Sequence, residues 1–299
     1  MLTIENHQQS VTIACLGQPL LRYQADSAAS KPHFDRVALP PTAHGRAGEN
    51  VVLAGPHDHV WHLGLWFCPS YIDGLSFWET ERLASRGQRH GRGRMAGEVR
   101  TFVRENGCVG FSQEVSWVAS DGEEWIRETR ECIARPPAGN AYFVDWTCGL
   151  CAVGKDRVWR SGDHSGECAN LCFRAPRSME RGAAEVLNSE GASGGAHCRP
   201  ARWCDFSGKL DANPDPLYPD IAGITLMDHP ANPGHPNSWL TMSEPYAMLA
   251  LMLSHGSDLP LSRDASLRLR FGMLVHYGRA DRDVIETRYS EWIDEQVRK

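Results

Sequence analysis

The sequence has no long uninterrupted apolar segment and no excess of positive charge. No window approaches the roughly 18 apolar residues of a membrane-spanning helix, and residues 1–9 lack the basic and apolar regions of a signal peptide. The formal net charge is -6, which gives no footprint for nucleic acid or for an anionic membrane surface. We therefore expect a soluble, cytoplasmic protein that binds neither nucleic acid nor membrane.

Several motifs of well-known enzyme classes are also missing. The chain has no phosphate-binding P-loop, no Gly-rich dinucleotide fingerprint, no Gly-x-Ser-x-Gly elbow and no HExxH. These absences argue against nucleotide-driven chemistry and against a serine hydrolase. We expect no nucleotide cofactor.

The chain has 10 cysteines, but they are scattered singly through apolar stretches and do not form a disulfide framework. Cys148 and Cys151 form a CxxC, and Cys168 and Cys172 a CxxxC, so a zinc site or a redox pair has to be considered. The CxxC lies in a strand-like run, where residues three apart point to opposite faces. We expect mainly reduced core cysteines.

Short segments of alternating hydrophobicity, separated by Gly, Pro, Asp and Asn, dominate the chain and predict strands joined by turns. Asn106-Gly107 and Asp121-Gly122 each lie between two such segments and predict hairpins. One segment has clear helical spacing, from Asp281 as N-cap to Val297. Its apolar positions are Val284, Ile285, Tyr289, Trp292 and Ile293.

This pattern predicts an all-β, mainly antiparallel fold, a large β-sandwich with a C-terminal helix. We expect a single domain over residues 1–299. Residues 181–218 are rich in Gly, Ala, Ser, Pro and Asp, and predict a long loop excursion with one strand near 201–208.

The most informative segment is Gly55-Pro-His-Asp-His-Val-Trp-His, with three imidazoles in six positions. If residues 56–61 are extended, His57 and His59 lie on one face and His62 can swing towards them. Such a set predicts a divalent transition metal site for Zn, Mn, Fe or Ni. The alternative is that these histidines are hydrogen-bonded pocket or surface residues.

A second cluster follows an apolar strand, in the loop that begins at Met227. Asp228 and His229 are candidates for acid–base chemistry, while Asn232, His235 and Trp239 are candidates for sugar contacts. Sugar hydroxyls need directional polar partners, and the apolar face of a pyranose stacks on aromatic rings. The alternative is a rigid loop whose polar groups satisfy its own backbone.

A third candidate pair is His164 and Glu167, which lie in a Gly-Ser turn before a strand containing Arg174. The pair could transfer protons, and Arg174 could contact substrate. The alternative is an ordinary polar loop. Trp66 and Trp78 are further candidates for stacking on a sugar ring.

Three pieces of the sequence resemble a known family in the same order along the chain. They are Lys31-Pro-His-Phe, the stretch from Asp58 to Trp78, and Asp228-His-Pro-Ala-Asn-Pro-Gly-His-Pro-Asn-Ser-Trp. The family is that of the PmoA-like proteins, whose historical label of methane oxygenase these residues do not support. The resemblance implies a sandwich similar to galactose mutarotase and a role in sugar catabolism. Relatives more often have adjacent histidines followed by Arg, where this chain has His57-Asp-His-Val-Trp-His.

The leading hypothesis is a carbohydrate-active enzyme, a metal-assisted lyase or hydratase of an oxidised keto glycoside. His164 or His229 would remove a proton, the metal on His57, His59 and His62 would stabilise the enolate, and Glu167 or Asp228 would protonate the departing oxygen.

Two alternatives remain: a metal-free aldose mutarotase or epimerase, and a non-catalytic sugar-binding protein. In either case the expected partner is a small carbohydrate. The 181–218 excursion could complete the site of a second copy in a homo-oligomer.

Overall fold

A computed structural model describes residues 1–25, 31–41, 47–78, 92–162, 168–192, 195–210 and 221–297. Within these ranges the chain is mainly antiparallel β-sheet with one C-terminal α-helix. The predicted all-β sandwich is confirmed.

The first large sheet contains nine strands within the described ranges, in the order β1-β2-β3-β4-β5-β14-β20-β19-β16. Their bounds are β1 Leu2–His7, β2 Ser10–Cys15, β3 Gln18–Gln24, β4 His33–Val37, β5 Leu65–Phe67, β14 Leu171–Arg174, β16 Arg199–Pro200, β19 Ser238–Met242 and β20 Met248–Met252.

The second large sheet runs β15-β17-β18-β22-β12-β11-β10-β8, and β9 also pairs with β10. Their bounds are β8 Gly93–Ala96, β9 Val99–Val103, β10 Val109–Ala119, β11 Glu124–Ala134, β12 Ala141–Ala152, β15 Glu185–Asn188, β17 Trp203–Lys209, β18 Ile221–Asp228 and β22 Leu267–Tyr277.

A small third sheet runs β21-β13-β6-β7. Its strands are β6 Tyr71–Ile72, β7 Leu75–Ser76, β13 Arg157–Trp159 and β21 Leu259–Leu261. A short 3-10 turn covers Arg177–Met179, and helix α1 covers Arg282–Val297.

Both predicted hairpins are confirmed. Strand β9 pairs with β10 around Asn106-Gly107, and β10 pairs with β11 around Asp121-Gly122. Gly107 and Gly122 have φ of 78° and 91°. This left-handed backbone favours glycine and is what tight hairpin turns require.

The main core lies between the two large sheets. Aromatic rings from the first sheet contact rings of the second: Phe34 with Trp146 at 5.5 Å, Phe67 with Phe271 at 5.6 Å, and Phe173 with Phe206 at 6.0 Å between centroids. Tightly packed aromatic pairs of this kind bury large apolar areas.

A polar network lies inside this core. Glu128 and Arg130, both fully buried, are joined by two hydrogen bonds of 2.6 and 3.0 Å. Trp117 Nε1 donates to Glu128 at 2.9 Å, and Arg130 donates to the Tyr23 hydroxyl at 2.9 Å. The Tyr23 hydroxyl donates in turn to Gln113 at 2.6 Å. A buried ion pair is stable only when further hydrogen bonds of this kind satisfy its remaining donors and acceptors.

Helix α1 begins where the sequence predicts it. The Asp281 carboxylate accepts hydrogen bonds from the backbone amides of Asp283 (2.9 Å) and Val284 (3.1 Å), which is N-cap geometry. Ile285, Tyr289 and Trp292 are buried against the outer face of the second sheet. Val284 was predicted on the apolar stripe, but 55% of it is exposed because the stripe turns away from it.

The predicted loop excursion at 181–218 is wrong in part. Strands β15 and β17 lie within it and extend the second sheet, and β16 adds an edge strand to the first. The strand predicted near 201–208 is present as β17, whereas β15 and β16 were not predicted because strands of four and two residues are too short to show an alternating pattern.

No disulfide joins the ten cysteines, and eight of them are buried. Cys148 is buried, whereas its CxxC partner Cys151 lies on the other face of β12 and is partly exposed. Among the described residues, no helix is both long enough and apolar enough to cross a membrane.

Candidate functional site

The two faces of the first sheet carry different chemistry. In β5, Phe67 faces the second sheet and stacks with its rings, so the neighbouring Trp66 points to the opposite face. Trp66 pairs with Cys172 of β14, and Arg174 follows two residues later on that same face. The outer face of the first sheet therefore presents an indole and a guanidinium side by side.

The histidine-rich segment lies over this face as a compact loop. The bridge between Ala54 and Leu63 closes it, and the Gly55 amide donates to the His62 carbonyl at 2.7 Å. Inside the loop, the His59 amide donates to Pro56 and the His62 amide donates to His59, which makes two successive turns. The condition that residues 56–61 are extended is not met, because Gly55 and Pro56 begin turns here.

This loop stacks its imidazoles into a row of rings. The rings of His59 and His62 lie 4.7 Å apart with a 19° interplanar angle, and His62 stacks on Trp66 at 5.4 Å. Trp66 contacts Trp78 at 5.3 Å, edge to face. Tyr246 covers both imidazoles, at 4.4 Å from His59 and 5.2 Å from His62. We call these five residues the ring stack.

Arg174 joins the ring stack to a group of carboxylates. Its guanidinium lies 4.5 Å from the Tyr246 ring centroid, and its Nη2 donates to Asp58 at 3.1 Å and to Glu180 at 2.7 Å. Arg177, which is half exposed, donates to the other Asp58 oxygen at 2.8 Å. Two carboxylates therefore balance the charges of two arginines.

Asp58 also orients His59, whose Nδ1 lies 3.0 Å from an Asp58 oxygen. Burial opposes ionisation of Asp58, but hydrogen bonds from His59, from its own backbone and from Arg177, with the charge of Arg174, hold its pKa well below the usual range. An ionised Asp58 accepts a hydrogen bond from His59 Nδ1–H, which leaves the lone pair of His59 on Nε2. A carboxylate on Nδ1 and a lone pair on Nε2 form the arrangement of a histidine that can act as a general base.

His62 is buried and neutral. Burial lowers its pKa to about 2, and a proton on His59 and the charges of Arg174 and Lys31 act in the same direction. Its Nδ1 is buried and has no hydrogen-bond partner among the described residues. A neutral imidazole can donate one hydrogen bond and accept another, so His62 can hold an oxygen without carrying charge.

Lys31 lies against the two indole rings of the ring stack. The ammonium is fully buried, 5.6 Å from the Trp66 centroid and 5.7 Å from the Trp78 centroid. It donates to the backbone carbonyls of Trp61 (3.2 Å) and Trp78. The faces of the two indoles attract a cation at this distance and help to stabilise the buried ammonium.

The predicted metal ligands do not fit a metal site. Among the described residues, no three His, Cys, Asp or Glu side chains are grouped to hold a metal ion. The rings of His59 and His62 are nearly parallel, so their in-plane lone pairs do not converge on one point. His57 is exposed at the first turn of the loop.

The second cluster is built around a fully buried Asp228. Its oxygens receive Asn232 Nδ2 (2.8 Å), the amide and Nδ2 of Asn237 (2.9 and 3.0 Å), and lie 3.0 Å from His235 Nδ1. Asn232 also bonds both backbone groups of Arg270. The structure therefore uses Asp228, Asn232 and His235 to hold the 228–237 loop in shape.

His229 and Trp239 lie apart from the ring stack. His229 packs edge-on against Trp292 of α1 at 5.3 Å, and burial, with the charge of Arg270, lowers its pKa to about 4. Trp239 is fully buried and pairs in register with Leu251, which continues the row of Phe67 and Leu171 towards the core. Neither residue is brought to Trp66, Trp78 or Arg174 by a described contact.

His164 and Glu167 lie outside the described residues. Their predicted role as a proton-transfer pair stays a prediction.

Sequence reasoning missed Tyr246 and Glu180. Tyr246 lies in the bend between β19 and β20, and Glu180 follows the 3-10 turn after β14. Both are brought in by strand pairing rather than by a local motif. The only sequence signal for Tyr246 was an aromatic residue in the polar Ser-Glu-Pro turn between two apolar runs.

The fold and the site define an all-β sandwich protein with an imidazole- and indole-lined site on the outer face of one sheet. The chain belongs to a family of unknown function (DUF6807), whose profile matches residues 10–290. No curated protein matches the chain.

Proposed function

We propose that this protein is a carbohydrate-active enzyme that removes a proton from the carbon next to a carbonyl group of a bound sugar. Its reaction class is that of a lyase, hydratase or epimerase. The observation that carries the proposal is that His59, oriented by Asp58, stacks on His62, while the buried Arg174 binds the same Asp58 carboxylate. The resemblance to the PmoA-like and mutarotase-type proteins agrees with a sugar as substrate.

The binding part of the proposal depends on the aromatic residues. The apolar face of a pyranose packs on aromatic rings, and Tyr246, which is partly exposed and lies against both imidazoles, supplies such a ring. Trp66 and Trp78 are buried and support the imidazoles from within. Hydroxyl groups of the sugar then need donors and acceptors at the edge of the stack. Asp58 and His59, which are partly exposed, supply both.

The chemical part assigns one role to each group. His59 Nε2 takes the proton from carbon, and the electron pair of the C–H bond moves onto the carbonyl oxygen. Arg174 and neutral His62 donate hydrogen bonds to that oxygen as its negative charge develops. Protonation of the opposite face of the carbon by water, with the His59 proton released to solvent, gives an epimer. Alternatively, the C–O bond at the next carbon breaks, the departing oxygen takes the proton from His59 and leaves as water or an alcohol, and an unsaturated sugar remains.

This scheme needs no metal, because Arg174 and His62 supply the charge stabilisation that a metal would give. The metal-free mutarotase is its nearest competitor. A mutarotase moves protons between oxygens, so it exchanges no carbon-bound hydrogen.

The test is hydrogen exchange in deuterium oxide, followed by proton NMR, with a panel of keto-glycosides, sugar acids and aldoses. We expect the wild-type chain to exchange a C–H proton next to the carbonyl of at least one panel member. His59→Gln should slow this exchange by about 100-fold or more, the usual contribution of a general base. His57→Gln, at the exposed turn, is the matched control and should keep the wild-type rate.

Two outcomes count against the proposal. Faster interconversion of anomers without any C–H exchange would indicate a mutarotase. Tight binding of a sugar without any chemical change would indicate a binding protein.

A further inference from the structure

The ring stack and the neighbouring Arg174 contain four buried nitrogen atoms without a hydrogen-bond partner among the described residues. They are His62 Nδ1, Trp66 Nε1, Arg174 Nε and Arg174 Nη1. The indole and guanidinium atoms can only donate hydrogen bonds. A buried donor without an acceptor costs free energy, so these atoms indicate acceptors that a ligand brings.

The number of these donors limits what the ligand can be. A ketone oxygen has two lone pairs and satisfies at most about two donors, whereas a carboxylate offers about four acceptor positions. Trp66 and Arg174 together supply three donors. The carboxylates of the protein do not fill this need, because Asp58 and Glu180 already bind Nη2 of Arg174 and the side chain of Arg177.

The charges beside these donors are balanced, because Asp58 and Glu180 neutralise Arg174 and Arg177. The unsatisfied donors, and not an excess of positive charge, therefore select the ligand.

We propose that the carbonyl group held at the ring stack is a carboxylate, so the substrate is a sugar acid such as a uronic or aldonic acid. This inference rests on the proposed function and specifies its substrate class. Arg174 and Trp66 bind the carboxylate, which acidifies the neighbouring C–H bond that faces the base. Three donors match a carboxylate better than a phosphate dianion, which carries twice the charge and more acceptor positions.

The first experiment uses the unmodified full chain and calorimetric titration with matched ligands: galacturonate against galactose, glucuronate against glucose, and gluconate. Glucose 6-phosphate is the third arm. A charged hydrogen-bonded pair in a buried site is worth about tenfold or more in affinity. We expect at least one sugar acid to bind about tenfold more tightly than the neutral sugar with the same ring.

The outcomes separate this inference from the proposed function. Equal affinity for acids and neutral sugars overturns the carboxylate and leaves the sugar site in place. Preference for the phosphate also overturns the carboxylate. No binding by any member of the panel overturns the sugar site itself.

Variants then locate the carboxylate. Arg174→Lys keeps the charge but removes Nε and Nη1, and should reduce the preference for the acid about tenfold. Arg177→Gln removes an equal charge from the far side of Asp58 and should keep the preference. If Arg174→Lys does not fold, Trp66→Phe removes a single donor while keeping a ring, and an unchanged preference in that variant contradicts the assignment.

Discussion

At the scale of single residues, the buried pair of Glu128 and Arg130 shows how costly a polar group in the sandwich core is. Removing one partner leaves the other charge buried and uncompensated. We expect Glu128→Gln to lower the free energy of unfolding by about 3–5 kcal/mol in urea titration. Glu131→Gln, on the same strand but partly exposed, should cost less than about 1 kcal/mol. Equal effects of the two variants would contradict this account.

The histidines of the ring stack lead to a second prediction. Since the rings of His59 and His62 are stacked nearly parallel, they do not converge on a cation. We expect treatment with a chelator, followed by gel filtration, to leave sugar affinity and proton exchange unchanged. Loss of either property, with recovery on addition of one transition metal, would show that this view of the imidazoles is wrong.

At the scale of elements, helix α1 depends on its first residue outside the helix. Asp281 satisfies two backbone amides that would otherwise have no acceptor. We expect Asp281→Ala to lower the free energy of unfolding by about 1 kcal/mol. Asp283→Ala removes a carboxylate from the same first turn without removing a cap, and should cost less. Thermal unfolding followed by circular dichroism compares the two.

The same elements show what the sequence could predict. The hairpins at Asn106-Gly107 and Asp121-Gly122 and the cap at Asp281 are local signals, because the residues that form each feature are close in sequence. Strands β15 and β16 gave no such signal. Their existence depends on pairing with β17 and β19, which no local pattern encodes.

The candidate site was predictable only in part for the same reason. His59, His62, Trp66, Trp78 and Arg174 were named from their residue types, and the structure brings them together. Tyr246 reaches them from the β19–β20 bend, far along the chain. The Asp228 loop matched the composition of a sugar site, but its polar groups bond to one another.

At the scale of the whole molecule, three buried histidines set the response to acid. Burial is the largest cause that lowers the pKa of His33 and His229 to about 4 and that of His62 to about 2. In the unfolded chain these groups titrate near 6.5. Below that pH the unfolded state binds protons that the folded state does not, so stability falls as pH decreases from about 6.5 to 4.

Within that window, each of these histidines lowers the free energy of unfolding by up to about 1.4 kcal/mol for each unit by which the pH falls. His276 affects stability in the opposite direction. Burial lowers its pKa, but the charge and hydrogen bond of Asp205 outweigh burial and raise the pKa above its ordinary value. The stabilising contribution of His276 is therefore present at low pH and is lost as pH rises through that pKa. We expect urea titrations to give a lower free energy of unfolding at pH 5 than at pH 7.5. His33→Gln should make this difference smaller, and exposed His57→Gln should leave it unchanged.

Strand β5 places Trp66 in the site and Phe67 in the core, although the two residues are neighbours in the chain. Deletion or insertion of one residue here would exchange the two faces, sending an indole into the sandwich and a phenyl ring towards the imidazoles. Over evolution this strand can accept substitutions but not changes of length. Length variation within the family should therefore concentrate in the connecting loops and spare β5.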